Sequence, residues 1–267
     1  MINFLKKIKK TVLYNFIITY LFYPMYHFLW KNIINFNARL LFIFLKDKND
    51  CFSLGSNDKI LIKDNIDFQK LASLIKNEAL PMIPNLKKKL LSENYKLQVQ
   101  SRNKAFGELP YSIDFYNELS DVLKSKIVRF ASSKKMINTA ANYMGIYPMI
   151  TRIQVALNIP RENSNARSAM LWHKDAFGFK NLDFFMAVTD IDKDSGPFYC
   201  LEKRIKAGTF KNFPYVKSKS GERGKVSFDE FDKVFKGHSI IPLIGKSGTA
   251  FFLDSFSTYH RGGFVKQ

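Results

Sequence analysis

The apolar positions change their spacing near the middle of the chain, and the change divides a helical region from a strand-rich one. Phe68, Leu71, Leu74 and Ile75 recur at three- and four-residue intervals, the spacing of one helix face, with Asp67 as the expected N-cap and Pro81 and Pro84 closing the element. Ser112 precedes a longer pattern of the same kind, through Tyr116, Leu119, Val122, Leu123, Ile127 and Phe130. These stripes predict helices packed on a sheet, not cofactor boxes. From Pro148 onward the apolar residues gather into short runs. Residues 150–159, 169–173, 184–189, 198–201, 240–244 and 250–253 read as strands on their aromatic and β-branched content. The interval from Glu202 to Gly237, rich in lysine, glycine and serine, reads as an insertion loop of the kind that shapes substrate access.

Within 150–159 the polar and apolar residues alternate, so Arg152, Gln154 and Asn158 share one face. Either that face looks into an interior, making Gln154 and Asn158 candidates for contacts to a co-substrate, or it is the solvent side of a strand over an apolar core.

The first fifty residues differ from the rest. Lys6, Lys7, Lys9 and Lys10 are followed by an uncharged, aromatic-rich run from Thr11 to Trp30. Asn15, Pro24 and His27 interrupt it, and its tyrosines and tryptophan prefer the membrane interface to hydrocarbon. A second apolar stretch, Leu40 to Leu45, lies between Arg39 and Lys46. We expect residues 1–50 to be a helical segment that associates with an anionic membrane surface, unless these helices pack on the body as ordinary core. A signal peptide fits less well, because no small-residue cleavage site follows the apolar run. The expected location is cytoplasmic, peripheral at or anchored to a membrane.

Residues 51–267 are long enough for one catalytic domain, and no internal repeat is visible. Two cysteines, Cys51 and Cys200, are too few for a disulfide framework and suit a reducing compartment, with Cys200 expected in the core. The net charge of +19 favours polyanions or anionic membranes at long range. No zinc-finger or RNA-recognition pattern accompanies it, so nucleic acid is not an expected partner.

The chain holds only four histidines, and two of them stand in suggestive company. His173 and Asp175 are two apart, and residues i and i+2 of a strand point to one side. With His260 from a distant strand they would supply two imidazoles and a carboxylate, the ligand set of non-haem Fe(II) oxygenases. Alone, a His-x-Asp pair is better explained by a surface turn or a core histidine.

Two blocks add to that pattern. Leu171-Trp172-His173-Lys174-Asp175, Gly178, Asp183 through Asp190 and Ser195-Gly196-Pro197-Phe198 form the first, and Gly248-Thr249 through Asp254 to His260-Arg261-Gly262-Gly263 the second. Together they resemble the phytanoyl-CoA dioxygenase family of 2-oxoglutarate-dependent oxygenases, over about residues 148–267. The resemblance implies a fold that is mainly β with flanking helices, a double-stranded β-helix or jelly-roll barrel. It implies His173, Asp175 and His260 as Fe(II) ligands, 2-oxoglutarate as co-substrate, and hydroxylation of a lipid-like, acyl or small-molecule substrate. Related halogenases lack the carboxylate, so Asp175 favours hydroxylation.

One departure stands out. The family's co-substrate arginine, about ten residues past the second histidine and suited to a bidentate grip, would fall beyond Gln267. Either the last core strand is missing, which we favour, or another group holds the co-substrate. Arg261 is a poor substitute, because it adjoins His260 and should point to the opposite face. Trp172, for the same reason, should point away from the ligands and pack beneath helices. Two other readings remain open: a non-catalytic jelly-roll module binding a membrane surface or polyanions, and a nucleic-acid or protein oxygenase of the same superfamily.

Overall fold

The computed structural model describes residues 35–45, 49–54, 59–92, 112–158, 168–175, 181–202 and 225–266, with residues 25, 28, 29, 33, 47 and 160. Its helices are α1 (Phe36–Leu45), α2 (Ile66–Ala79), α3 (Ile83–Leu91), α4 (Asp121–Ala131), α5 (Lys134–Met144) and α6 (Phe228–Val234). Its strands are β1 (Lys59–Ile62), β2 (Ser112–Asp114), β3 (Ala156–Asn158), β4 (Trp172–His173), β5 (Asp183–Met186), β6 (Phe198–Leu201), β7 (Lys225–Val226), β8 (Ile240–Leu243), β9 (Ala250–Leu253) and β10 (His260–Arg261).

Every strand pair is antiparallel. A three-stranded sheet runs β1-β9-β5, a five-stranded sheet runs β7-β4-β10-β6-β8, and β2 pairs with β3 separately. Among the described residues the sheets do not close into a barrel.

Alternation along the strands sorts their side chains into layers. Phe185 on β5, Phe198 and Cys200 on β6, Ile241 and Leu243 on β8, and Phe251 and Leu253 on β9 pack together, so the two main sheets face each other across this cluster. The next residues point the other way. Phe184 and Phe252 meet Phe68 of α2 and Phe52, with ring centroids 5.0–5.7 Å apart, beneath a helical layer centred on Leu71, Ile75, Leu123 and Ile127. On the far side of the five-stranded sheet, Trp172, Leu201 and Val226 pack against Phe231 and Phe235 of α6 and the adjoining turn.

The local signals explain most departures from the expected elements. α2 is capped by Asn65, whose side chain accepts from the backbone N–H groups of Asp67 and Phe68, so Asp67 sits inside the first turn. Pro81 and Pro84 fall in a 3-10 turn and the first turn of α3, where a missing N–H costs nothing. Ser120 caps the next helix, and Ser112, which precedes the pattern, lies in β2. The strand expected over 150–159 shrinks to 156–158, and that over 169–173 to its last two residues after a 3-10 turn. Helix α5 was not expected.

The expected insertion loop also needs correction: residues 203–224 lie outside the described residues, but 225–234 form β7 and α6. A Ser227–Glu230 capping box starts α6, and Phe231 stacks on Trp172 at 3.9 Å with rings 7° apart. Of the segment 1–50, α1 is tied to the body by Arg39, which donates to the Gly145 carbonyl at 2.6 Å, and by the Tyr147 N–H to the Ala38 carbonyl. No described helix is long and apolar enough to cross a membrane. The expected run 11–30 lies almost entirely outside the described residues.

Because Phe231 is 1% exposed and backs the strand that carries His173, Phe231→Ala should destabilise the fold by about 3–5 kcal/mol. Urea denaturation would read this as a lower midpoint. An unchanged midpoint would show that α6 does not cover the sheet.

Candidate metal centre

Strand β10 lies between β4 and β6, and its register sets His260 directly opposite His173 on one side and Cys200 on the other. Cys200 belongs to the interior cluster, so both imidazoles face the space between the sheets. Their ring centroids are 4.4 Å apart. Asp175 follows two residues after His173, and its N–H donates to the Ser255 carbonyl at 3.0 Å. One carboxylate oxygen lies 3.7 Å from His173 Nε2 and the other 3.6 Å from His260 Nε2. Ligand atoms from the three side chains all fall within 4.8 Å of one another.

Each ring is held by the carbonyl two residues earlier: His173 Nδ1 by Leu171 at 2.8 Å and His260 Nδ1 by Thr258 at 2.9 Å. A carbonyl only accepts, so in the neutral ring the proton sits on Nδ1 and Nε2 keeps its lone pair. For His173 burial, reinforced by His260, pushes the imidazole pKa down to about 4. Burial alone would raise Asp175, yet the facing imidazoles and the Ser255 hydroxyl bring its pKa below the usual value. A His173 imidazole kept from protonation and an Asp175 carboxyl that ionises readily suit a divalent cation, whose ligands must be deprotonated.

The turn from Asp254 to Thr258 builds this arrangement. Asp254 is 1% exposed, and its side chain accepts from the N–H groups of Phe256 and Ser257 at 3.0 and 3.1 Å and from the Tyr143 hydroxyl of α5. The turn therefore presents Ser255 to Asp175 and the Thr258 carbonyl to His260. Asn181 donates to the Ser255 hydroxyl at 2.7 Å and to Asp183 at 3.1 Å. Asp183 shares the interior side of β5 with Phe185, and burial raises its pKa. Sequence reasoning assigned no role to Asn181, Asp183 or Ser255. The only available signal was the two-residue phase of Asp183 and Phe185, and the run Asp-Phe-Phe-Met does not say which side is inward.

Other expected positions fall elsewhere. Gln154 and Asn158 are exposed. Gln154 donates to Asp114 at 3.2 Å, and Asn158 pairs with Ser112 in the separate β2–β3 sheet. The structure does not bring them to the triad, because Ile153, Val155 and Leu157 turn to the helical core instead. Arg261 lies on the outer side, its guanidinium 4.1, 4.9 and 5.3 Å from the rings of Tyr199, Phe228 and Trp172. Phe198 stacks on His260 at 5.2 Å and Phe185 packs at a tilt against Phe198 at 5.0 Å, which gives the triad an apolar wall. Comparison with models of known protein families and with curated proteins finds no match to this chain.

Ser255 is fully buried and its hydroxyl supports Asp175. Ser255→Ala should therefore weaken Fe(II) binding about 10–100-fold with the far-ultraviolet spectrum unchanged. Equal affinities in an anaerobic metal titration would remove Ser255 from the support of the site.

Proposed function

We propose that this chain is an Fe(II)- and 2-oxoglutarate-dependent dioxygenase of the phytanoyl-CoA dioxygenase type, built on a double-stranded β-helix and hydroxylating a lipid-like, acyl or small-molecule substrate. The observation that carries this reading is the matched pair of carbonyl-held imidazoles, both Nε2 atoms turned towards one carboxylate between facing sheets. The donor set fits Fe(II): two neutral nitrogens and one anionic oxygen, with no thiolate among them. Bound there, Fe(II) and its keto acid supply the activation of dioxygen needed to hydroxylate a C–H bond.

The chain's own residues do the rest. His173 and His260 present fixed lone pairs, so little reorganisation accompanies binding. Asp175 supplies the negative charge and occupies the position that a halide would otherwise need. Ser255 and Asn181 hold the carboxylates in place, and Phe185 and Phe198 keep water from one side of the site.

His173→Ala and Asp175→Ala should each lose Fe(II) affinity by more than the roughly 10–100-fold of a supporting residue, and with it the visible band that a chelated keto acid gives on anaerobic addition of 2-oxoglutarate. Full iron binding in either variant would remove the metal assignment. No iron binding by the unaltered chain would leave the non-catalytic module as the better reading.

The same enzyme is proposed to work at an anionic membrane surface. Helix α1 is inverted relative to an ordinary surface helix: only Phe42 is buried, while Phe36, Leu41, Ile43, Phe44 and Leu45 are 47–79% exposed. Soluble surfaces rarely leave such a stripe bare. The net charge of +19 and the lysines at 6, 7, 9 and 10 match anionic lipid and oppose a second copy of the chain.

Vesicles containing about 30% phosphatidylglycerol should bind the chain, and a Leu41→Glu/Phe44→Glu double variant should partition roughly tenfold less. Equal cosedimentation of the two proteins would overturn the surface. So would a dimer in solution that the double variant dissociates.

A further inference from the structure

The two barest large apolar side chains among the described residues stand on segments that are bonded to each other. Met149 is 80% exposed, and Phe44 of α1 is 79% exposed. The chain just before Met149 meets α1 twice: the Tyr147 N–H donates to the Ala38 carbonyl at 2.8 Å, and Arg39 donates to the Gly145 carbonyl at 2.6 Å. Two residues reach about 7 Å at most, so Met149 lies beside the helix. Ile150 follows it, 44% exposed. Single apolar residues on a surface are ordinary, but this pair extends the bare stripe of α1. The loop that carries it stands between anchored ends. Gly145 ends α5 in the left-handed conformation at φ 73°, which turns the chain out of the helix. Ile146 before the loop and Val155 after it are buried, and Ile153 packs on the helical core. The charges nearby are basic: Arg152 is exposed, Lys46 and Lys48 follow α1 in the chain, and Asp47 between them is paired with Lys134 at 2.9 Å.

We propose that residues 147–152 are a second membrane-contacting element, in which Met149 and Ile150 enter the boundary between head groups and acyl chains of an anionic bilayer and Arg152 meets its phosphates. This rests on the membrane reading of α1 and adds an orientation to it. A single amphipathic helix leaves the body free to roll about the helix axis, whereas a second contact beside it fixes the roll and turns the end of α5 to the bilayer. Tyr143 lies two residues before Gly145 and donates to Asp254, so the turn that supports the metal ligands is tied to that same end of α5. A second copy of the chain is a poor occupant for the patch, because each copy carries a net charge of +19.

The test is cosedimentation with phosphatidylglycerol-containing vesicles of the unaltered chain, a Met149→Glu/Ile150→Glu variant and a Val128→Glu/Arg129→Gln variant. The last makes the same change in net charge at two exposed positions in the final turn of α4, which leads into the opposite end of α5. The loop variant should partition roughly tenfold less than the unaltered chain, and the α4 variant should lose much less. Equal losses in the two variants would reduce the effect to net charge and overturn the loop contact, as would a loop variant that binds like the unaltered chain. A dimer in solution that the loop variant dissociates would overturn it in favour of a second copy. Depth is read independently with Met149→Trp, a change at an exposed position: its added emission, after subtraction of the unaltered chain's, should be quenched by lipid brominated on the acyl chains. Absence of quenching in vesicle-bound protein would place the loop outside the bilayer and overturn the proposal. Failure of the unaltered chain to bind these vesicles would overturn the membrane reading as a whole. Loss of binding in the Leu41→Glu/Phe44→Glu variant but not in the loop variant would overturn the second contact alone.

Discussion

The cross-strand register that sets His260 opposite His173 is the constraint on which the rest of the arrangement depends. With a side-chain period of two, a slip of one residue in β10 would exchange His260 for Arg261 and place a guanidinium in the interior. Three features hold the register. Trp172 is clamped by Phe231 on the outer side, Arg261 lies among the rings of Tyr199, Phe228 and Trp172, and the Asp254 turn fixes where β10 begins. A close approach at Gly263 fixes the path of the chain beyond β10, because a Cβ there would lie 2.3 Å from the Pro197 carbonyl oxygen. The outer layer thus determines which side chains reach the inner one.

Burial and solvation pull in opposite directions at the triad. Removing two imidazoles and a carboxylate from water favours the neutral form of each, which suits the histidines and opposes Asp175. The structure resolves this locally, since both Nδ1 protons are absorbed by backbone carbonyls and Asp175 is supported by Ser255 and the facing rings. Asp183, close by, moves the other way, raised by burial and by the Asp175 charge. Two carboxylates near one site are thus shifted in opposite directions by what each touches.

The two-residue spacing of His173 and Asp175 was legible in the sequence, although β4 ends at His173 and the Ser255 carbonyl holds Asp175 in place, and Phe198–Leu201 and Ala250–Leu253 were legible as dense apolar runs. Helix α6 was hidden because its charged residues, Asp229, Glu230, Asp232 and Lys233, mask the few aromatics that make its contacts. Residues 150–155 alternate like a strand yet have no ladder partner, and alternation says nothing of pairing. The neighbours of the ligands could not be read at all. Asn181 and Ser255 meet across 74 sequence positions, a proximity set by folding and not by pattern.

The pairing of β1 with β9 joins Lys59 to Leu253 and Ile62 to Ala250, and β5 completes that sheet only through the same late strand. The centre of the three-stranded sheet is therefore made after nearly all of the described chain, and the aromatic residues of α2 and β5 have no finished surface to pack on until then. Such contacts, distant in sequence, slow folding through the entropy of closing long loops. During synthesis Phe68 and Phe184 therefore lack the surface that Phe252 completes until β9 has left the ribosome.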